Sequence, residues 1–176
     1  MKNRMHLFDY EMYENGFGSQ EMRDLWSERG ILQQWVDFEV YLAQAQAELG
    51  MIPQKVADEI TKKGNIDLIG TDKIAEIFGT TNLNTVALIR AYKAICDNEA
   101  GEFIHYGATS QDVLDSTLAY RIKKSLDSYR KDLVNIVATL IPIAEKHRNT
   151  LMAGITHGQH AIPVTFGFVV ATWIQA

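Results

Sequence analysis

The longest stretch of helical periodicity limits the possible folds of this chain more than any other feature. Between Gln111 and Arg148, apolar residues recur every three or four positions, as expected for one face of an α-helix. These residues are Leu114, Leu118, Ile122, Leu126, Tyr129, Leu133, Val137, Leu140 and Ala144. At about 1.5 Å per residue the helix extends for more than about 50 Å, and Pro142 is expected to kink it near its end. Because a helix this long needs bundle partners to cover its apolar face, we predict an all-α fold.

Shorter periodic segments predict further helices joined by short loops. The chain has three prolines and twelve glycines, and the glycines lie mainly between the periodic segments. The predicted helices run from an N-cap at Ser19 to about Leu49, from Pro53 to Gly64, onward from Thr71, from about Asn82 to Glu99, and from Pro163 to Ala176. No segment predicts a strand, and the last helix is cut off, as in a truncated chain. We place an N-terminal helical domain at 1–110 and the beginning of a central helical bundle at 111–176.

Charge and composition exclude several kinds of partner. The formal net charge is -5, with basic and acidic residues interspersed, so no patch is expected to bind a nucleic acid or an anionic membrane. No run of residues has the length and hydropathy of a signal peptide or a transmembrane helix. The single cysteine, Cys96, cannot form an internal disulfide, which fits a reducing compartment. We therefore expect a soluble protein of the cytoplasm that binds neither nucleic acid nor membrane.

Polar residues are concentrated where a loop enters the long helix. The stretch His105-Tyr106-Gly107-Ala108-Thr109-Ser110-Gln111-Asp112 has a glycine, two hydroxyls and a carboxylate. One interpretation is helix capping, with Thr109 or Ser110 accepting a bond from a free backbone N–H and Asp112 at the positive end of the helix dipole. The other is an anion site, in which unpaired N–H groups and both hydroxyls bind a carboxylate that approaches the backbone closely at Gly107. A dicarboxylate substrate would suit this site.

A second polar stretch reads as a turn between helices. Residues 154–167 are Gly-Ile-Thr-His-Gly-Gln-His-Ala-Ile-Pro-Val-Thr-Phe-Gly, an unusual density of neutral donors and acceptors. Histidine is the side chain best suited to proton transfer near neutral pH, and Thr156 and Gln159 could fix its tautomer or bind a substrate oxygen. Taken alone, each histidine of the stretch is more often structural than catalytic.

A metal site is a further interpretation of the histidines. His157 and His160 are three residues apart, and His105 could join them on one ion. No cysteine ligand and no HExxH-like spacing supports this arrangement, so we predict no metal.

Both polar stretches resemble signature regions of one superfamily. The segments HYGATSQD and THGQHAIPVTFG, in this order and spacing, are similar to the first two signature regions of the fumarate lyase superfamily. The segment MRDLWSERGILQQWVDFEVYLAQAQAELGMIP also resembles the N-terminal helix of adenylosuccinate lyases and of carboxymuconate cycloisomerases. The resemblance covers nearly the whole chain.

This resemblance implies a homotetramer whose long helices form a central bundle, with each active site assembled from three subunits. It implies an elimination that releases fumarate from a succinyl adduct and needs no cofactor. His157 then matches the histidine that assists the leaving nitrogen, and His105 matches a histidine that lines the substrate pocket. Neutral donors would stabilise the carbanion-like intermediate, and the candidates are Thr109, Ser110, Thr156 and Gln159.

Three departures from the superfamily pattern bear on activity and substrate. The general base resembles a serine on a glycine-rich loop of a third signature region, which these residues do not include, so we expect the chain alone to be inactive. Adenylosuccinate lyases have a His-Asp pair where this chain has Leu83 and Asn84, and we assign Asn84 to substrate binding. Ile155 stands where an arginine commonly precedes the Thr-His pair. The substrate therefore stays open within the superfamily.

Three functions remain as alternatives. The leading hypothesis is an adenylosuccinate lyase-like enzyme, because His157 follows Thr156 as in the members that release fumarate. The second is a 3-carboxy-cis,cis-muconate cycloisomerase, favoured by the N-terminal helix and the segment GATSQDVLDSTL. The third is a noncatalytic helical module, in which Trp26, Trp35 and the apolar face 114–144 serve assembly only. That hypothesis leaves the polar turn around His157 unexplained.

Overall fold

The computed structural model describes residues 6–13, 16–97 and 99–176, except the side chain of Asp9. The fold is mainly helical, as predicted, with one small antiparallel sheet in the described part of the chain. The Cα positions group into two compact units, Met1–Ile122 and Lys123–Ala176. The division falls inside the long helix, and the domain boundary between 110 and 111 stays a prediction.

The described ranges contain short 3₁₀ turns, α-helices and one β-hairpin. The 3₁₀ turns are Leu7–Asp9, Glu11–Tyr13 and Ala100–Phe103. The longer elements are α1 (Gln20–Trp26), α2 (Glu28–Glu48), α3 (Gln54–Lys63), α4 (Ile66–Ile69), α5 (Thr71–Thr81), α6 (Asn84–Ile95), α7 (Ser110–Lys146), β1 (Leu151–Thr156), β2 (Gln159–Thr165) and α8 (Phe166–Gln175). None of the helices described combines the length and hydropathy that a bilayer span requires.

Two helices occupy the segment 19–49, which the sequence predicted as one. Ser19 caps α1 as predicted, because its side chain accepts a hydrogen bond from a backbone N–H of the first turn. Ser27 then ends α1 and caps α2, accepting from the N–H of Gly30 at 3.0 Å. The two helices meet so closely that a Cβ at Gly30 would lie 1.9 Å from the carbonyl oxygen of Asp24. The prediction of a single helix was wrong because a serine within the periodic segment starts a new helix.

Most other helix boundaries agree with the predictions. Pro53 is the N-cap of α3 rather than its first residue, and Gly64 follows its last residue. Helix α5 begins at Thr71, and α6 lies inside the predicted range 82–99. Helix α7 reproduces the predicted range 111–148 to within two residues at each end. The kink that we expect at the proline near its end stays a prediction.

The first unit has one continuous apolar core, to which α2 through α6 and the first turns of α7 contribute. Tyr92 lies fully buried in this core, and its hydroxyl donates to the carbonyl oxygen of Ile60 at 2.5 Å. Cys96 is half-buried against the core, and burial raises the pKa of its thiol to about 11. The buried residues are Leu32, Trp35, Val36, Val40, Ala43, Ile52, Val56, Ala57, Ile60, Ile66, Ile69, Ile74, Ala87, Leu88, Ile89, Ala91, Tyr92, Ala100, Ile104 and Val113.

The second unit contains a β-hairpin that the sequence did not predict. Strands β1 and β2 pair antiparallel as far as Thr156 and Gln159. The two residues between them, His157 and Gly158, have φ of 50° and 72°, as a type I′ turn requires. The predictions of no strand and of a plain turn between helices were wrong. The strands are short, and their glycine and proline masked the alternation of a strand.

Helix α8 begins at Phe166 rather than at the predicted Pro163, because Pro163 belongs to β2. Thr165 caps the helix, its side chain accepting from a backbone N–H of the first turn. Gly167 approaches the end of α7 so closely that a Cβ would lie 2.5 Å from the carbonyl oxygen of Ala144. Within the second unit, this contact fixes the start of α8 against the end of α7.

Candidate functional site

A buried carboxylate on another helix holds His105. The ring Nδ1 of His105 lies 2.7 Å from Oε1 of Glu39, and the backbone N–H of His105 donates to Oε2 of the same side chain at 2.9 Å. Glu39 lies on α2 with its side chain 1% exposed, whereas the His105 side chain is 17% exposed. No described residue forms a hydrogen bond with Nε2, the other ring nitrogen. The Nδ1 edge of the His105 ring is therefore fixed by Glu39, whereas the Nε2 edge is available to a ligand.

The electrostatic state of Glu39 depends on His105. Burial raises the pKa of the Glu39 carboxyl, and the hydrogen bonds and charge of His105, together with the charge of Lys93, offset part of that increase. Among the described residues, no lysine or arginine forms an ion pair with Glu39. A carboxylate removed from water is costly unless donors compensate it, and both donors here come from His105. The carboxyl group of Glu39 is thus compensated mainly by its contacts with His105.

A second buried polar residue of α2 fixes the next part of the loop. Gln46 lies two helical turns beyond Glu39, is 7% exposed, and donates from Nε2 to the carbonyl oxygen of Tyr106 at 2.6 Å. Gly107 has φ of 74°, and a Cβ there would lie 3.8 Å from the same Nε2. The loop from His105 to Gly107 is therefore attached to α2 at two points.

The start of α7 presents Thr109 and Ser110. Asp112 caps this helix, its Oδ2 accepting from the backbone N–H of Thr109 at 2.8 Å, so the capping interpretation holds for Asp112. Neither hydroxyl takes the capping role that we considered for it. Ser110 Oγ instead accepts from the hydroxyl of Thr85 at 2.7 Å, and the exposed Thr109 hydroxyl makes no hydrogen bond to the described residues. The Thr109 hydroxyl thus stays available to a ligand.

Asn84 lies at the start of α6, next to the residue that contacts Ser110. Its Oδ1 accepts from the backbone N–H of Thr85 at 2.8 Å, and Thr85 donates in turn to Ser110. Asn84 also lines a cavity of about 490 Å³ whose other walls are mainly apolar side chains of α2 and α5. Leu83, at the position of the histidine in the superfamily pattern, is 56% exposed and has no side-chain donor. The polar group at this point is therefore the amide of Asn84.

The hairpin presents the second set of predicted residues at its tip. Thr156 and Gln159 form the last pair of the ladder, and His157 occupies the first turn position with φ of 50°. These residues and His160 are exposed, and the His157 imidazole forms no hydrogen bond with any described residue. Glycine or asparagine would adopt this backbone conformation with less strain. The histidine therefore brings no visible benefit to folding.

The predicted site residues fall into two groups, one in each unit. His105, Thr109, Ser110 and Asn84 lie in the first unit; Thr156, His157 and Gln159 lie in the second. Within the first group, Thr85 connects the starts of α6 and α7. In the part of the chain that the structure describes, no cluster of three or more His, Cys, Asp and Glu side chains could hold a metal ion.

Sequence analysis did not identify Glu39, Gln46 or Thr85 as part of this region. Glu39 and Gln46 are seven residues apart, so they share one face of α2 with the buried Val36 and Ala43. A carboxylate and an amide at core positions of a helix are the signal that could have revealed them, because such groups are rarely buried without partners. Thr85 carries no such signal.

Comparison with known proteins places the chain in a class of helical lyases. The family described as Lyase matches residues 17–176. The chain therefore belongs to the fumarate lyase superfamily and corresponds to its N-terminal portion. This confirms the resemblance that HYGATSQD and THGQHAIPVTFG carry.

Individual relatives match almost the whole chain. The adenylosuccinate lyase of Methanocaldococcus jannaschii is 40% identical over 172 residues, which are 98% of this chain and 36% of that protein. The N-acetyl-S-(2-succino)cysteine lyase of Dickeya dadantii is 39% identical over 170 residues, 97% of this chain and 37% of that protein. The crystal structure of β-carboxy-cis,cis-muconate cycloisomerase from Acinetobacter calcoaceticus has a TM-score of 0.87 and 30% identity, covering 94% of this chain and 39% of that chain. The chain thus spans less than two fifths of each relative.

Proposed function

We propose that this chain is part of an adenylosuccinate lyase-like enzyme, which eliminates fumarate from a succinyl adduct. The names of the two lyases compared above both contain a succinyl group. In adenylosuccinate this group is attached to an adenine nucleotide, and in N-acetyl-S-(2-succino)cysteine it is attached to the sulfur of an N-acetylcysteine. The part common to both is a four-carbon dicarboxylate. The proposed substrate class is therefore a succinyl group attached to nitrogen or sulfur.

The observation that carries this proposal is the position of His157. It lies at the tip of the hairpin, exposed, in a left-handed backbone conformation, and without a hydrogen bond to the described residues. Strained positions that serve no packing purpose are characteristic of functional residues. An exposed imidazole on a rigid turn is suited to transfer a proton to a leaving group at neutral pH.

The proposed reaction assigns His157 the role of general acid. A base removes the proton from the carbon beside one carboxylate, and that electron pair forms the double bond of fumarate. The bond from carbon to the leaving nitrogen or sulfur breaks, its electron pair stays on the leaving atom, and His157 supplies the proton that this atom takes up. By resemblance, the base is a serine of a third signature region, which we expect outside this chain.

The remaining site residues are proposed to bind the dicarboxylate. The intermediate concentrates negative charge on one carboxylate, and preorganised neutral donors stabilise such charge. In the first unit these donors are the Thr109 hydroxyl, the first N–H groups of α7 beside Ser110, and the Asn84 amide. His105 is proposed to line the substrate pocket with the free edge of its ring. In the second unit they are Thr156 and Gln159, which flank His157.

Fumarate release by the complete gene product tests the proposal. Adenylosuccinate and N-acetyl-S-(2-succino)cysteine are offered to the same preparation, and fumarate is followed by its absorbance. Fumarate release from only one of them identifies the leaving atom. Adenylosuccinate releases fumarate by cleavage of a carbon–nitrogen bond, and N-acetyl-S-(2-succino)cysteine by cleavage of a carbon–sulfur bond. Absence of fumarate from both would contradict the proposal.

A matched variant assigns the role of His157. His157→Asn suits the left-handed turn position and removes the titratable imidazole, so the hairpin is preserved while the acid is lost. We expect kcat to fall by about a hundredfold to ten-thousandfold, the usual contribution of general acid catalysis. His160→Asn, also on the exposed end of the hairpin, is the control and is expected to retain most activity.

A second candidate function is that of a muconate cycloisomerase. Its support is the TM-score of 0.87 with the Acinetobacter calcoaceticus enzyme, and a 3-carboxy-cis,cis-muconate lactonizing enzyme from Pseudomonas putida has the same TM-score. Lactonisation of carboxymuconate is therefore assayed in parallel. Lactone formation without fumarate release would favour this second function.

We also propose that the enzyme is a homotetramer. Four apolar side chains on α7, namely Leu126, Tyr129, Leu133 and Ile136, recur at the spacing of a bundle interface, and each is more than half exposed. We call them the α7 stripe. The hairpin adds Leu151, Ile155 and Ile162, each at least 70% exposed. Apolar surface of this extent supports association, and a second copy of the chain is the partner that the superfamily resemblance favours.

A further inference from the structure

We propose that Glu39 is a positioning residue, which holds His105 with its Nδ1 proton on the carboxylate and so leaves Nε2 unprotonated and available to the substrate. This inference rests on the proposed role of His105 in the substrate pocket. It deepens that role by assigning which ring nitrogen faces the substrate and in which state. Glu39 itself does not contact the substrate.

Glu39 is almost completely buried. Its side chain is 1% exposed, and no lysine or arginine of the described residues forms an ion pair with it. A carboxylate removed from water is costly unless hydrogen-bond donors compensate it, so packing alone does not account for a glutamate here. The contacts that do account for it are the two bonds to His105.

The two bonds use different oxygens of the Glu39 carboxylate. The backbone N–H of His105 can only donate, and it occupies Oε2 at 2.9 Å. The other oxygen, Oε1, lies 2.7 Å from Nδ1, and an ionised carboxylate can only accept. With Glu39 ionised, the proton of a neutral imidazole therefore belongs on Nδ1, and Nε2 keeps its lone pair.

The backbone of His105 is in a left-handed conformation. Its φ of 66° is uncommon for a residue with a Cβ. One carboxylate contacts both the backbone and the ring, so it fixes the loop conformation and the ring orientation together. A carboxylate that orients a histidine in this way sets which nitrogen is presented on the opposite edge, as is known from carboxylate partners of metal-bound histidines.

NMR of the histidine side chains in the 176-residue chain tests the inference. Long-range ¹H–¹⁵N correlation spectra at about pH 8.5, above the usual pKa of histidine, report which ring nitrogen carries the proton. The His105 signals are assigned by their loss in His105→Asn, which suits the left-handed backbone. We expect His105 to be fixed with the proton on Nδ1. A wild-type ring protonated on Nε2, or one that averages both forms, would overturn the inference.

Two variants separate positioning from folding. Glu39→Gln keeps the shape of the side chain but replaces one carboxylate oxygen by an NH2 donor. The backbone N–H and Nδ1 of His105 contact different oxygens of Glu39, so in the variant one of these two groups faces the NH2 instead of an acceptor. We expect the proton to move to Nε2 or to average over both nitrogens. Gln46→Met removes the other bond that α2 makes to this loop, at Tyr106, and is expected to leave the His105 proton on Nδ1.

The spectra of these variants test whether Glu39 determines the tautomer of His105. If the proton stays on Nδ1 in Glu39→Gln, or if Gln46→Met loses the tautomer preference to the same extent, the loop and not the carboxylate determines the tautomer of His105. If far-UV circular dichroism shows that Glu39→Gln does not fold, Glu39→Asp, which retracts the carboxylate by one methylene, is expected to give an averaged tautomer. No turnover is measured, so a failure here is distinct from absence of fumarate release.

Discussion

Among single residues, Gly30 occupies a position with no room for a Cβ atom. A Cβ at this position would lie 1.9 Å from the carbonyl oxygen of Asp24, and both groups belong to helix backbones that cannot move aside independently. We expect Gly30→Ala to lower the free energy of unfolding by about 1–3 kcal/mol, because one helix must shift to make room. Urea denaturation followed by circular dichroism measures this change.

Gly79 is the matched control for Gly30. It also lies in a helix, α5, but a Cβ there would meet nothing within 4 Å. Gly79→Ala is expected to raise the free energy of unfolding by up to about 1 kcal/mol, because alanine has the higher helix propensity. Equal effects of the two substitutions would show that helix propensity, and not the contact between α1 and α2, determines the result.

The polar residues of the loops were accessible to sequence reasoning, whereas their partners were not. His105, Thr109 and Ser110 lie within six consecutive residues, so their density alone singles out the start of α7. Glu39 is separated from His105 by 66 residues, and its importance comes from a tertiary contact. Local periodicity describes one helix at a time and carries no information about which loop lies against it.

Among the elements, the hairpin of the second unit depends on two different glycines. Gly154 lies at the irregularity between Ala153 and Ile155, and a Cβ there would be 2.6 Å from the carbonyl oxygen of Ile162. We expect Gly154→Ala to open the ladder and to speed hydrogen exchange of the strand amides by about tenfold or more, equivalent to about 1.4 kcal/mol. Hydrogen exchange followed by NMR measures this effect.

Gly158 gives the corresponding control. It has φ of 72° but no atom within 4 Å of an added Cβ, so its requirement is conformational only. Asparagine tolerates that conformation, and Gly158→Asn is expected to change exchange in β1 and β2 much less than Gly154→Ala. If only Gly158→Asn caused a strong loss of protection, the stability of the hairpin would depend on the turn rather than on the close approach of Gly154 to Ile162.

The accuracy of the element predictions follows the length of the periodic signal. Helix α7 has a period maintained over 37 residues, and its limits were predicted to within two residues. Strands β1 and β2 have six and seven residues, and Gly154 and Pro163 interrupt their alternation. The break between α1 and α2 depends on the Ser27 cap, a local hydrogen bond that periodicity does not describe.

At the level of the whole molecule, the chain contains only part of the proposed catalytic machinery. It spans 36% and 37% of the two curated lyases compared above. The proposed acid and the proposed carboxylate donors of the first unit lie in different units. We propose that the base comes from outside this chain, so turnover is expected only from an assembly that supplies it.

Assembly is proposed to depend on the α7 stripe. Leu133 is 61% exposed and central in that stripe, so burial against another copy would remove a large apolar side chain from water. Leu133→Glu places a charge at the proposed interface and is expected to weaken association by about tenfold or more, equivalent to about 1.4 kcal/mol. Lys131→Glu places the same side chain on another face of α7 and is expected to have little effect.

Sedimentation equilibrium over a range of concentrations, with circular dichroism to check helicity, measures the mass of each variant. A wild-type chain that stays monomeric, or equal masses for wild type and Leu133→Glu, would assign the stripe to a role other than self-association.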